Sequence, residues 1–338
     1  MAYFLGIDAG GTRTTAWLAD DRKRVLARGT AGPANPLKVG FQASKREILS
    51  AAHRALRKAR LLYPVAALPQ RRRRPAVRDR RYKKVVLDAV AVGLAGVDRR
   101  QVHGPLFAWL RRSIPARHHL LTSDAAVAMR AALGESPGVI VISGTGSIAF
   151  ARDERGNVLR SGGWGSPFDD AGSGYDLGRK AIAAALRDYD GRGPHTRLTR
   201  RICKALKIPD ITQVILQPLT PPDIAALFPD VLAATRRGDL VAQQLCEEAG
   251  RDLAERALAL LKRLGWQRRV VPVVAAGGVF RASLRIRQAF HRHLRRHAPQ
   301  ARVQLLRRPP AEGALALAYD LTGRRGRSST AAPRTTSL

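Results

Sequence analysis

The sequence predicts an α/β protein of two similar domains, and three observations lead to that prediction. Its length of 338 residues suits two domains. Residues 4–17 and 138–150 (FLGIDAGGTRTTAW and GVIVISGTGSIAF) each indicate an apolar strand, a Gly-Thr turn and a second strand. Placing Thr12 on Thr145 aligns the two segments without a gap, so the chain contains an internal repeat.

The same alignment extends beyond the two turns. The paired identical residues are Gly11 with Gly144, Asp20 with Asp153, Val25 with Val158, Leu26 with Leu159, and Gly29 with Gly162. Repeated segments usually mark repeated structural units, so each domain is expected to begin with three strands. Two domains that each carry such a turn predict a nucleotide held in a cleft between them.

The first turn has the composition of a phosphate-binding loop. Gly10 and Gly11 lack a Cβ atom, so they can adopt positive φ and let backbone N–H groups approach an anion. Thr12 adds a hydroxyl group, and Asp8 at the end of the first strand can hold hydrated Mg²⁺. An ordinary hairpin turn is the alternative interpretation.

The rest of the first half alternates strands with helices. The predicted elements are a strand at 24–28, a GPAN loop at 32–35, a helix at 44–60 with Ser44 as N-cap, a strand at 85–93, a helix at 106–113 and a strand at 119–122. The Pro/Arg-rich segment 64–84 lacks apolar periodicity and is predicted to be a mobile surface loop. A contact with nucleic acid or polyphosphate is its alternative interpretation.

Asp124 lies between the short strand HLLT and the apolar helix AAVAMRAAL. Open α/β sheets place ligand sites at the C-terminal ends of their strands, which makes this carboxylate a candidate functional group. A plain N-cap aspartate is the alternative interpretation.

The second half holds the densest polar cluster, SGGWGSPFDDAGSGYD at 161–176. Trp164 lies among glycines and offers an apolar face for a sugar ring, while Asp170 offers acceptors for hydroxyl groups. A third glycine motif, after the two Gly-Thr turns, is AAGGVF at 275–280, which follows the apolar segment 270–274, and Gly277-Gly278 can let backbone lie against a planar ligand. The alternative interpretation of 161–176 is an ordinary Gly/Asp/Ser-rich loop, and that of 275–280 is a generic strand-to-helix turn. The remaining predictions are a helical region interrupted by prolines at 191–238, helices at 239–265 and 313–322, and a disordered tail from Gly323.

Composition narrows the function classes. Lys and Arg number 60 against 26 Asp and Glu, a formal charge of +34, which predicts nonspecific attraction to polyanions but no specific nucleic-acid partner. A coding bias that filled solvated positions with arginine is the favoured interpretation, because much of the excess lies in loops and helix faces outside the motifs. Cys203 and Cys246 have no metal-type spacing and suit reduced thiols. No secretory leader and no membrane-length apolar run is found, so a soluble, cytoplasmic protein without membrane association is expected.

Taken together, these motifs resemble those of a known superfamily. DAGGT at 8–12, SGTGS at 143–147 and AGG at 276–278 look like the phosphate and adenosine motifs of the acetate and sugar kinase/actin superfamily. More narrowly, the chain resembles the N-acetylglucosamine kinases of the BadF/BadG/BcrA/BcrD-type ATPase family. The segments that carry this closer likeness are GGTRT at 10–14, PAN at 33–35, TSDAA at 122–126 and GGWG at 162–165.

The resemblance implies two RNase H-like (actin-like ATPase) domains, at 1–123 and 124–312, with helix 313–322 returning to the first. It also implies ATP and Mg²⁺ as cofactors, an aminosugar as acceptor, and a homodimer. The implied nucleotide contacts are Gly10, Gly11, Thr12, Gly144, Thr145, Gly146, Gly277 and Gly278, with Asp8 orienting the metal. The implied sugar contacts are Asn35, Asp124, Gly163, Trp164 and Asp170. Asp124 would be the general base toward the 6-hydroxyl of N-acetylglucosamine.

One departure from the family pattern leaves the sugar open. Relatives often have Gly-Asp-Glu-Gly-Ser after the Gly-Trp-Gly, whereas this chain has Asp169-Asp170-Ala171-Gly172-Ser173. Glucosamine or N-acetylmuramic acid could therefore replace N-acetylglucosamine. An ATPase activator of an iron–sulfur dehydratase or reductase is one alternative, but Cys203 and Cys246 match no cluster motif. A non-catalytic sugar-sensing protein is the other.

Overall fold

The computed structural model describes residues 1–62, 83–97, 99–166 and 168–323. The chain divides into two compact units. The first contains Met1–Glu135 and the segment that begins at Arg307, and the second contains Ser136–Leu306. Most of the Arg-rich segment 64–84 and of the tail lies outside the described residues, where neither prediction for them is tested.

The first unit contains a five-stranded sheet, a separate pair of short strands and helices. Its strands are β1 (Tyr3–Ala9), β2 (Thr14–Asp20), β3 (Val25–Ala31), β4 (Leu61–Leu62), β5 (Lys83–Lys84), β6 (Leu87–Leu94) and β7 (Ala116–Ser123). Its helices include α1 (Pro36–Val39), α2 (Phe41–Lys58), α3 (Arg100–Ser113) and α4 (Asp124–Leu133). The sheet order is β3-β2-β1-β6-β7, while β4 and β5 pair separately. β1, β6 and β7 are parallel, so their C-terminal ends share one edge.

The second unit repeats this sheet. Its strands are β8 (Gly138–Ser143), β9 (Ser147–Arg152), β10 (Val158–Gly162), β11 (Pro272–Ala276) and β12 (Arg302–Leu305), in the order β10-β9-β8-β11-β12. Its helices are α5 (Gly174–Tyr189), α6 (Leu198–Leu206), α7 (Pro221–Ala225), α8 (Phe228–Arg236), α9 (Leu240–Arg263), α10 (Gly278–Ala282) and α11 (Leu284–His297), with a 3-10 helix at Ile211–Leu216.

The two sheets have the same topology, which confirms the predicted α/β class and the duplicated strand pattern. In both, three antiparallel strands are followed by two parallel additions, and the first and second strands are joined by a Gly-Thr turn. The predicted cleft between the domains stays a prediction.

The last helix, α12 (Pro310–Asp320), packs within the first unit, beginning before the predicted 313–322. Gly6 of β1 has no room for a side chain, because a Cβ atom there would lie 2.2 Å from the Leu315 nitrogen. Gly313 of α12 is equally constrained, because a Cβ atom there would lie 2.0 Å from the Val127 carbonyl oxygen of α4. Because α4 packs against α12, the compact units divide after Glu135, later than the predicted boundary at 123/124.

Helix α2 begins earlier than predicted. Gly40 is its N-cap, and Ser44, the predicted cap, is a fully buried residue of the second turn. The helix buries an apolar face that includes Ile48, Ala52 and Leu56 against the sheet. No helix in the described part of the chain is long and apolar enough to cross a membrane.

Candidate active site

Two carboxylates meet at the C-terminal edge of the first sheet. Asp8 pairs with Gly93 across β1 and β6, and Gly93 pairs with Thr122 across β6 and β7. Asp124 follows β7 directly and is half-buried. The parallel register therefore brings together two acidic residues that are far apart in the sequence, at the edge where open α/β sheets bind ligands.

The surroundings of Asp8 disfavour a negative charge. Burial, together with the neighbouring Asp124 carboxylate, raises the pKa of Asp8 to about 7, although Arg13 acts in the opposite direction. A bound cation would stabilise the ionised form of such a carboxyl group, because its positive charge offsets both the cost of burial and the repulsion from the second carboxylate. This fits Asp8 to the metal-orienting role predicted from sequence.

We expect Asp8→Asn to stabilise the ligand-free protein, and more so at pH 8 than at pH 5. Since the pKa of Asp8 is about 7 in the folded chain and 3.8 ordinarily, its favourable contribution is present below 3.8 and is lost as the pH rises through 7. Asparagine removes that cost, giving about 1–3 kcal/mol at pH 8. Urea unfolding at both pH values measures the difference, with the exposed Asp21→Asn as control. An equal gain at both pH values would contradict the prediction.

Asp124 is the first residue of α4 and not its N-cap, so the plain N-cap interpretation is wrong. Ser123 caps the helix, its hydroxyl oxygen accepting from the Ala126 nitrogen at 3.2 Å. Asp124 Oδ1 accepts from the adjacent Ala125 nitrogen at 2.9 Å. Because Ser123 caps α4, the side chain of Asp124 is not needed as its N-cap.

The first Gly-Thr turn is closed by its own backbone. The Gly10 nitrogen donates to the Arg13 carbonyl oxygen at 3.0 Å, and Thr12 is exposed. Gly10 and Gly11 are not in the left-handed region, so positive φ is not the reason for glycine here. A Cβ at Gly11 would meet no atom within 4 Å, which means that the space beside this backbone is open.

Asn35 lies close to the same turn. The Ala34 nitrogen donates to the Gly10 carbonyl oxygen at 3.1 Å, which ties the PAN loop to the turn. Asn35 caps α1 by accepting from the Leu37 nitrogen at 3.0 Å, and its Oδ1 lies against Gly96 after β6. The cap engages Oδ1 of the Asn35 amide, whereas Nδ2 takes no part in it.

The second Gly-Thr turn is also closed by a backbone hydrogen bond, over a shorter span than the first. The Gly144 nitrogen donates to the Gly146 carbonyl oxygen at 2.9 Å, and a Cβ at Gly144 would meet no atom within 4 Å. The first residues of α5 support it from below, as the Gly174 and Tyr175 nitrogens donate to the Gly144 and Thr145 carbonyl oxygens at 2.8 and 3.1 Å.

Asp170 lies beneath this turn. Its Oδ1 accepts from the Ser147 nitrogen at 3.0 Å, and a side chain on Gly146 would collide with the same carboxylate. The residue is buried and adopts a left-handed conformation with φ of 74°. Asp170 is predicted to contact the sugar, and its Oδ1 is therefore already engaged in holding the turn.

Gly277 and Gly278 have different reasons to be glycine. Gly277 has φ of 101°, and a Cβ there would lie 2.0 Å from the Ser143 carbonyl oxygen. Gly278, the first residue of α10, has neither constraint and is exposed. The structure thus brings the third glycine motif against the second Gly-Thr turn, and leaves Gly278 open to a ligand.

The Gly-Trp-Gly loop exposes its aromatic side chain. Trp164 is 71% exposed, and the Arg160 guanidinium lies 4.1 Å from the centre of its ring. Gly163 is left-handed, with φ of 76°, and its missing side chain makes room for Ile148. An exposed indole is suited to stacking on a sugar ring.

Sequence reasoning missed Arg256, which pairs with Asp169 next to this loop. Arg256 lies on the buried face of α9, between Leu253 and Leu260 at helical spacing. An arginine at an apolar position of an amphipathic helix was the available signal, since a buried guanidinium requires a partner. Within the described ranges, no group of three or more His, Cys, Asp or Glu residues could hold a metal by itself.

Comparison with known proteins agrees with this geometry. An N-acetylmuramic acid/N-acetylglucosamine kinase of Clostridium acetobutylicum is 30% identical over 322 residues, covering 94% of this chain and 98% of that protein. An N-acetyl-D-glucosamine kinase of Dictyostelium discoideum is 26% identical over 94% of this chain and 98% of its own length.

A solved structure gives the same picture. A protein of Chromobacterium violaceum, provisionally assigned as an N-acetylglucosamine kinase, is 28% identical and superposes with a TM-score of 0.75, covering 94% of this chain and 99% of its own. The sequence profile of the BadF/BadG/BcrA/BcrD ATPase family matches residues 5–318. This chain therefore belongs to the BadF/BadG/BcrA/BcrD ATPase family.

Proposed function

We propose that this protein transfers a phosphoryl group from ATP to an aminosugar, with N-acetylglucosamine as preferred acceptor and its 6-hydroxyl group as the attacking atom. The observation that carries the proposal is the pair Asp8 and Asp124 beside the first Gly-Thr turn. The activities of the Clostridium and Dictyostelium relatives support the acceptor class.

Asp124 would act as the general base. Asp124 begins α4, whose N-cap is Ser123, at the edge where open α/β sheets bind ligands, and a carboxylate placed there can accept a proton from a hydroxyl group.

ATP would be bound by the two Gly-Thr turns and the third glycine motif. Gly11 and Gly144 face open space, so their backbones can approach phosphate oxygens, while Thr12 and Thr145 add hydroxyl donors. Gly278 would lie against the adenosine. Asp8 would orient Mg²⁺, and the donor set fits, because Mg²⁺ in such sites takes one or two carboxylates together with substrate phosphates. When bound, this ion would neutralise charge on the phosphates.

The sugar would be held by Asn35 through its side-chain amide and by Trp164 through its exposed ring, with the Gly163 backbone beside it. Asp170 would contribute through its second carboxylate oxygen, since Oδ1 is engaged by Ser147. A homodimer and a cytoplasmic location remain predictions from the sequence.

The test is a coupled ADP-release assay with Mg·ATP against N-acetylglucosamine, glucosamine, N-acetylmuramic acid and plain glucose, beside a sample without sugar. ADP release that depends on an aminosugar, with phosphate found at its 6-position by NMR, would support the proposal. Sugar-independent release would overturn it in favour of an ATPase activator. No release with any sugar, despite measured ATP binding, would overturn it as well.

A further inference from the structure

The Gly-Trp-Gly loop is attached to helix α9 through one buried ion pair. Arg256 of α9 is 8% exposed, and its Nη2 donates to Asp169 Oδ1 while its Nη1 donates to Asp169 Oδ2 at 3.2 Å. Two guanidinium donors thus meet both oxygens of one carboxylate, a geometry that gives strong and directional pairing.

Asp169 in turn holds the backbone of the loop. Its Oδ2 also accepts from the Trp164 nitrogen at 3.2 Å, so one oxygen connects Arg256 to the residue that carries the exposed indole. Burial by itself raises the pKa of Asp169, but hydrogen bonds from Arg256 and Trp164 outweigh it and hold the pKa below its usual range. The carboxylate therefore stays ionised at neutral pH.

The backbone around the pair is shaped to admit Arg256. A Cβ atom at Gly162 would lie 1.6 Å from Arg256 Nη1, so only glycine leaves space for the guanidinium. A second arginine of the same helix, Arg263, donates to the Arg160 carbonyl oxygen at 2.9 Å, just before the loop. Helix α9 thus contacts the loop on both sides of Trp164.

We propose that the Asp169–Arg256 pair is a positioning element that holds Trp164 in the conformation that binds the aminosugar. The inference rests on the proposed function and deepens it. It also explains the departure from the family pattern at position 169: the additional carboxylate is consumed by Arg256 and adds no free negative charge to the sugar site. Neither residue touches the sugar, and both act through the Trp164 backbone.

The test compares Asp169→Asn, Arg256→Met and the double variant with the wild type. Asp252→Asn is the matched control, because it removes a different ion pair of α9, with Lys180. We expect both single variants to raise the KM for the aminosugar about 10- to 100-fold while the KM for ATP changes less than about twofold. Hydrogen exchange of the 160–172 backbone should accelerate in the same variants and not in Asp252→Asn.

The double variant separates positioning from stability. Replacing a buried ion pair by neutral groups often restores stability, whereas leaving one charge unpaired does not. We therefore expect the double variant to regain the thermal stability lost in Arg256→Met or Asp169→Asn, yet to keep the raised KM for the aminosugar. A KM that returns to the wild-type value together with stability would overturn the positioning role.

The exchange measurement needs no activity, so the two proposals can fail separately. A wild type that releases no ADP with any aminosugar refutes the proposed function, and with it the effect of the pair on sugar binding. An active wild type whose loop exchange is unchanged by Asp169→Asn overturns the positioning element alone. Faster loop exchange with an unchanged KM for the aminosugar overturns it too.

Discussion

Asp124→Asn is expected to lower kcat for sugar-dependent ADP release by about 10²–10⁴-fold, the contribution of a positioned general base. The fold should be retained, because Ser123 caps α4 and the asparagine side chain keeps an oxygen that can accept from the Ala125 nitrogen. Steady-state kinetics at saturating Mg·ATP and aminosugar, with thermal unfolding of the same samples, measure both effects.

Glu135→Gln is the appropriate control for this variant. Glu135 lies just beyond the opposite end of α4, is exposed and pairs with Arg130, so it changes charge near the same helix without touching the carboxylate edge. We expect its kcat to equal that of the wild type. An Asp124→Asn protein with near-wild-type kcat would exclude Asp124 as the base.

Gly277→Ala is expected to lower stability, whereas Gly278→Ala is expected to lower nucleotide affinity. Alanine at 277 would have to adopt φ near 101° and would place Cβ 2.0 Å from the Ser143 carbonyl oxygen, so we expect a loss of about 3 kcal/mol or more in the free energy of unfolding. Alanine at 278 meets no atom within 4 Å and should leave stability unchanged or raise it by up to about 1 kcal/mol.

Among folded samples, Gly278→Ala should lower the affinity for nucleotide more than Gly277→Ala does. The methyl group of Gly278→Ala would fill the open space proposed for adenosine, and a misfit of this size costs about 1–3 kcal/mol, or roughly tenfold or more in Kd. Calorimetric titration with ADP measures it. Wild-type ADP affinity in Gly278→Ala would contradict the assignment, and wild-type stability of Gly277→Ala would contradict the packing argument.

Features formed by neighbouring residues were predictable from the sequence. The repeat, the two strand–turn–strand units and the glycine motif at 277–278 depend on short-range chemistry, so their positions were predicted within a few residues. Ser44 shows the limit of such reasoning. A serine before an apolar helical pattern is typical of an N-cap, yet α2 begins at Phe41 with Gly40 as its N-cap, and Ser44 is fully buried within the helix.

Roles that depend on distant residues required the tertiary structure. The sequence alone determined an α/β chain with a duplicated sheet and the residue types of a phosphotransfer site. Only the tertiary structure buried Asp8 and, through the parallel register of β1, β6 and β7, brought it beside Asp124, and these two effects raise its pKa. Asp169 and Arg256 are 87 positions apart, and Asp170 supports Ser147 from 23 positions away. A side chain's function here follows from what packs against it, and packing partners are chosen by the fold of the whole unit.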